Sequence, residues 1–246
     1  YNTIFGASAG GSSIDAGAAF NVIIGDSAAA DGAKTADFDQ NVIMGYSAGE
    51  DTTTAKDNVF IGFKSAETLL SGTDNVVIGK HAMYDLDAGT TAQGSSACVI
   101  IGSNAGSGAW VNEDNSNLVI IGSGACIGAM EGDTTDGTVA IGKSALAALT
   151  TGSNNVAVGF ETLKSNLDGD QNIAIGHQTL VNLTSSTRNT AMGHQAMGNV
   201  DATADGLADC VAIGWEAFKG DATDGTGTTT DANGTIAIGK SALAAL

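Results

Sequence analysis

Several stretches of this chain carry residue types at spacings that do chemistry elsewhere. Gly137-Thr-Val-Ala-Ile-Gly142-Lys143-Ser144 fits the phosphate-loop pattern, and Gly234 to Ser241 fits it again. In such a loop the four intervening residues form a turn whose N–H groups cradle phosphates. Gly6–Gly10 and Gly45–Gly49 fit the G-x-S-x-G elbow that presents a nucleophilic serine. His81, His177 and His194 are nitrogen donors of the kind metals take, but a metal site needs convergent ligands at fixed spacing. Acidic inserts, among them Asp133 with Asp136 and Asp221 with Asp224, are candidates to hold Ca²⁺ through oxygen ligands. Rings at Tyr46, Phe63, Phe160, His177, His194 and Trp215 each follow a glycine; exposed ring faces suit sugars, and the same rings also suit burial against a neighbouring chain.

Most of these matches dissolve once the elements that carry them are identified. The chain repeats a unit throughout: a polar residue, three apolar residues, a glycine, two mostly polar positions and a small residue, as in Asn155-Val-Ala-Val-Gly159-Phe-Glu-Thr162. Thirteen copies have their glycine at 6, 25, 45, 62, 79, 102, 122, 142, 159, 176, 193, 214 and 239, and the basic spacing is 17 residues. Longer spacings insert residues between the small residue and the next apolar run, which makes the inserts loops on a constant coil. The phosphate-loop and elbow matches are therefore columns of the repeat, usually without the lysine, and no enzyme activity is expected from them. None of the acidic inserts matches an EF-hand or a calcium-binding nonapeptide, so solvated loops and no cofactor are expected.

Positions are numbered here from the repeat glycine as zero. The apolar run is β-branched and too short for a helix, so it reads as a strand. The glycine marks a corner that a Cβ would obstruct or that needs positive φ; Gly25, Gly45, Gly159, Gly176 and Gly193 are examples. At −4 stands Asn in eight copies, including Asn21, Asn41, Asn155, Asn172 and Asn189. Coils stacked about 4.8 Å apart would let these amides bond one another in a ladder. Cys98 and Cys210 share that column and are expected, like Cys126, to be free packed thiols. The same stacking would place Phe160, His177 and His194 in a ring ladder. The segment after the glycine reads as either a second strand or one helical turn.

Positions −3 and −1 share one strand face and −2 occupies the other. Both are apolar, and −2 changes from large residues (Ile4 through Ile120) to alanine in the last six copies. One face must then point away from the coil's own core. Seven large −2 side chains left in water would forfeit on the order of 10–20 kcal/mol, so neighbouring copies are expected to cover them, approaching more closely where alanine takes over. The fold expected is all-β: a parallel β-solenoid, or β-roll, of about 13 coils and roughly 60 Å. It is one repeat domain over residues 1–246. Neither end reads as a cap, which suggests a piece of a longer fibre.

The strand motif resembles the head repeats of trimeric autotransporter adhesins, with their Asn-Ser-Val-Ala-Ile-Gly unit. The 150–159 stretch, Thr-Thr-Gly-Ser-Asn-Asn-Val-Ala-Val-Gly, is similar to repeats of phage tail fibres and other virion fibres. The resemblance implies a left-handed roll, a homotrimer and a place on a virion or cell surface, where the chain would mediate attachment to a glycan or receptor. No stalk heptads or membrane anchor accompany the repeats, which favours the virion fibre over the cell-surface adhesin. A net charge of −18, with a single arginine, argues against nucleic-acid partners. The longest apolar runs fall far short of the roughly 18 residues a membrane span needs. Two further readings compete: a polysaccharide-cleaving tailspike with paired carboxylates, and an ice-binding solenoid, which would need outward threonine ranks that this chain lacks.

Overall fold

The computed structural model describes residues 1–11, 13–84, 94–108, 110–111, 115–131, 135–200, 207–220 and 232–244. Thirteen three-residue strands, from Thr3–Phe5 to Ile236–Ile238, follow one another in a single parallel sheet. Each pairs with the next in strict register, −2 beside −2, as Ala140 beside Ala157. Trp110–Val111 and Met130–Glu131 pair as a small parallel second sheet on two successive repeats. The all-β parallel solenoid expected from the repeat is the fold.

The backbone explains why the pattern has these columns. At Gly159 φ is +135°, and a Cβ would lie 1.8 Å from the carbonyl oxygen of Gly176 on the next coil. Both proposed reasons for the glycine hold together: the corner needs positive φ, and neighbouring corners stack too closely for a side chain. The segment beyond the corner is neither a second strand nor a helical turn. It is a run of turns in which positions +2 and +4 are left-handed, as at Glu161 (φ 52°) and Leu163 (φ 47°). Glu161 N–H donates back to the Lys143 carbonyl, and Leu163 N–H donates forward to that of Thr179. The left-handed residues, each costing about 1–2 kcal/mol for an L side chain, are thus held by bonds to coils on both sides.

The asparagine column forms the ladder its spacing implies. Asn21, Asn41, Asn58 and Asn75 each donate from Nδ2 to Oδ1 of the preceding asparagine at 3.0–3.1 Å, and Asn172 and Asn189 do the same from Asn155 at 3.2 Å. Each amide also reaches across the coil, Asn172 to the Ser186 carbonyl at 2.6 Å. Cys98 and Cys210 imitate half of this. Their backbone N–H groups donate to the preceding Oδ1, and their thiols donate to the carbonyls of Asn115 and Ala232 at 3.5 and 3.1 Å. Asn172→Cys keeps the cross-coil bond but removes the bond to Asn155 and the Oδ1 that accepts from the Asn189 N–H and Nδ2; it should cost about 2–4 kcal/mol in urea unfolding, the order of three net hydrogen bonds, and less than Asn172→Ala, which also leaves the Ser186 carbonyl without this donor.

Which strand face is the core corrects the sequence reading. The −2 side chains point inward: Ile23, Ile43, Phe60, Ile100 and Ile120 are fully buried, and so are the alanines from Ala140 to Ala212. The −3 and −1 ranks face outward and are half-buried or exposed. The change from isoleucine to alanine therefore cannot set how closely copies approach. It is compensated inside the coil by position +4. At +4 the large −2 residues Ile4, Ile23, Ile43, Phe60 and Ile100 are matched by Gly10, Ala29, Gly49, Ala66 and Gly106, the smaller Val77 by Met83 and Ile120 by Cys126, whereas the alanines from Ala140 to Ala212 are matched by Leu146, Leu163, Leu180, Met197 and Phe218. A Cβ on Gly49 would lie 3.4 Å from Ile43 Cδ1 and 3.0 Å from a ring carbon of Phe60, so +4 and −2 share one volume and exchange size between halves of the rod.

Candidate functional site

The outward sheet face is the most extensive surface feature among the described residues. Its two ranks, −3 and −1, hold Val, Ile, Met and Phe in 24 of 26 positions, threonine in the other two and no charge. At about 4.8 Å per rung the strip runs close to 60 Å. It includes Phe5, Ile173, Ile175, Met192 and Ile213, all at least 36% exposed. Soluble monomers rarely present continuous apolar patches beyond a few hundred Å².

Beside this strip, at the glycine corner, the rings stack. Phe160, His177 and His194 form the ladder their spacing implies, with centroids 5.0 Å apart and planes within 18°. Trp215 joins it at 4.1 Å and 7° from His194, although that coil is four residues longer, because the strands on either side keep their register, Ala191 beside Ala212. Lys143 Nζ lies 5.9 Å above Phe160 and covers the free end of the stack. Lys143 is the lysine of the first phosphate-loop match; residues 139–141 of that match are a strand bonded on both sides. In the G-x-S-x-G matches, Ser8 and Ser47 are left-handed corner residues, and Ser47 is buried. A second ring group, Tyr46, Phe63, His81 and Tyr84, has neighbouring centroids 4.8–5.4 Å apart.

Of the calcium candidates, Asp133, Asp221 and Asp224 lie outside the described residues. Asp136 Oδ1 instead accepts from Ser116 N–H one coil back at 2.7 Å. Asp39, Asp170 and Asn233 do the same for Ala19, Ser153 and Ala208, and Ser96 and Ser116 use their hydroxyls. This −6 column of side-chain oxygens capping backbone donors escaped the sequence reading. Its signal was an Asp, Asn or Ser six residues before the glycine. No group of three or more metal-ligating side chains occurs among the described residues. The three cysteines are free and buried; burial pushes the Cys98 thiol up to about 11 and Cys126 to about 12, so neither forms thiolate at neutral pH.

Among the described residues Lys34 is the one charged side chain that is fully buried, 1% exposed. Its Nζ donates to the Asp31 carbonyl at 2.5 Å and to that of Thr52, and it lies 5.6 Å above the Phe38 ring. Burial lowers its pKa from 10.5 to about 8, against the opposing pull of Asp31 and Asp51. Between pH 8 and 10.5 the unfolded chain keeps this proton and the folded chain has lost it, so stability rises with pH across that window. The expected gain is up to about 3 kcal/mol by the usual 1.36 kcal/mol per pK unit. Urea unfolding at pH 7.5 and 10 checks it, with Lys34→Met expected to lose this gain.

No described helix is long and apolar enough to cross a membrane. No family model, curated protein or solved structure matches this chain.

Proposed function

We propose that the chain is a structural and attachment segment of a fibrous surface protein, carried on a virion tail or head fibre or on a cell surface. Copies assemble as a homotrimer through the outward sheet face. The observation that carries this is the uncharged −3/−1 strip, which nothing in the chain's described residues covers. A strip of this length and chemistry loses free energy in water at about 25 cal/mol per Å², and identical strips on identical rods cover one another about a symmetry axis. Three copies, rather than two, are supported by the resemblance of the Asn-x-Ala-x-Gly repeat to trimeric fibre heads. The acidic inserts keep such a rod soluble and discourage lateral clumping.

Light scattering of the purified chain should give about three times 24.3 kDa. A particle of single-chain mass would overturn the proposal. The role is structural rather than catalytic, so incubation with host polysaccharide should release no new reducing ends, and release would transfer the assignment to a polysaccharide-degrading tailspike.

A further inference from the structure

Asn233–Gly234 is the one Asn–Gly pair in the sequence. In such a pair the backbone nitrogen after the asparagine can attack the side-chain carbonyl carbon, because glycine puts no side chain in the way. The eight asparagines of the −4 column are each followed by valine, isoleucine or threonine, whose branched Cβ crowds that approach. The nitrogens concerned are also committed to the sheet, as Val22 N–H is to the Asn41 carbonyl. Asn233 lies outside the core. It and Gly234 are exposed, and a Cβ on Gly234 would meet nothing within 4 Å, so the turn is open to water.

Asn233 stands in the −6 column. Its Oδ1 accepts from Ala208 N–H at 2.8 Å, Gly234 N–H donates to the Ala208 carbonyl at 3.0 Å, and Thr235 N–H closes the turn on the Ala232 carbonyl at 3.2 Å. The sequence that follows, Gly234 to Leu246, repeats Gly137 to Leu149 except for Ile236 in place of Val139. Before that glycine the earlier copy has Asp136, whose Oδ1 accepts from Ser116 N–H at 2.7 Å, and Gly137 has φ +69° against +75° at Gly234. One of two near-identical coils thus already holds the acid that loss of the Asn233 amide would produce in the other.

We infer that Asn233 is a site of spontaneous deamidation, which proceeds when its turn opens and leads to an aspartate that the −6 column accepts. Water is the only co-reactant. With the Ala208 bonds open, the Gly234 nitrogen bonds to Asn233 Cγ and gives up its proton, and ammonia leaves, closing a cyclic succinimide. Water then opens the ring. Breaking the bond from nitrogen to Cγ restores the ordinary main chain with a carboxylate, a charged acceptor for Ala208 N–H. Breaking the bond from nitrogen to the main-chain carbonyl carbon leaves a longer isoaspartyl link, which cannot close the turn from Thr235 to Ala232. Reclosing of the coil therefore retains the aspartyl product and leaves the isoaspartyl product open.

The test is peptide mapping by mass spectrometry of the intact chain held in mild alkali. Asn233 should be the first asparagine to show the amide-to-acid mass change, ahead of every asparagine of the ladder. Sub-denaturing urea should speed the change by raising the open fraction of the turn. Gly234→Ala should leave Asn233 unconverted over the same period. Asn233→Asp should unfold in urea at a midpoint no lower than the parent's. Earlier conversion of another asparagine, a rate indifferent to urea, an unchanged rate in Gly234→Ala, or a lower midpoint for Asn233→Asp would each overturn the inference.

Discussion

Gly159→Ala should lower stability by more than about 5 kcal/mol, enough to open the ladder at that coil. Two costs add. The φ of +135° is a conformation essentially confined to glycine, worth about 1–3 kcal/mol of strain for any other residue. The larger cost is steric: the new Cβ would sit 1.8 Å from the Gly176 oxygen and 2.7 Å from its carbon. Both are backbone atoms of the next coil, so no rotamer change relieves the clash. Gly176 N–H is itself bonded to the Val158 carbonyl at 2.9 Å, so moving the corner breaks a ladder bond as well. The control is Gly124→Ser. That glycine stands at +2, its φ is +63°, and its added Cβ would meet only Ser144 Oγ at 3.9 Å. Other coils carry Ser27, Lys64 or Ser144 there at φ of 54–56°. It should cost less than about 1 kcal/mol. Equal urea midpoints for the two variants would show that close stacking of corners is not what requires the glycine.

The contrast between those two glycines marks what the sequence could and could not disclose. A glycine at every corner is legible because only one residue type satisfies the constraint, and thirteen copies at a fixed offset expose it. The asparagine ladder is legible for the same reason, since an amide repeated at rung spacing has one obvious partner. The ring ladder follows from 17-residue spacing, and Trp215 joins because inserts leave the register untouched. The left-handed +2 and +4 positions could not be read, because Glu161, Leu163, Met197 and Phe218 have no local preference for that conformation. Bonds to the coils above and below impose it. The core face could not be read either, because a strand apolar on both sides has no alternation to orient it. The oriented signal lay elsewhere, in the inverse sizes at −2 and +4.

That inverse relation predicts a rescue. Leu163→Ala should cost about 3–5 kcal/mol, the range for removing a fully buried leucine from a core that cannot collapse around the gap. Collapse is blocked here because the neighbouring coils hold the backbone at ladder spacing on both sides, through the Leu163 N–H bond to Thr179 and the Val156–Ile173 and Val156–Val139 pairings. Ala157→Ile alone should cost about 1–3 kcal/mol by overpacking against Leu163. Combined, the two changes recreate in this coil the pairing that Ile23 with Ala29 already makes, and the double variant should recover at least half of the leucine's loss. A double-mutant cycle read by urea unfolding gives the coupling directly. Additive losses would mean that −2 and +4 do not share a volume in this half of the rod; the isoleucine-to-alanine switch would then need a cause outside the coil, in the packing of one copy on another.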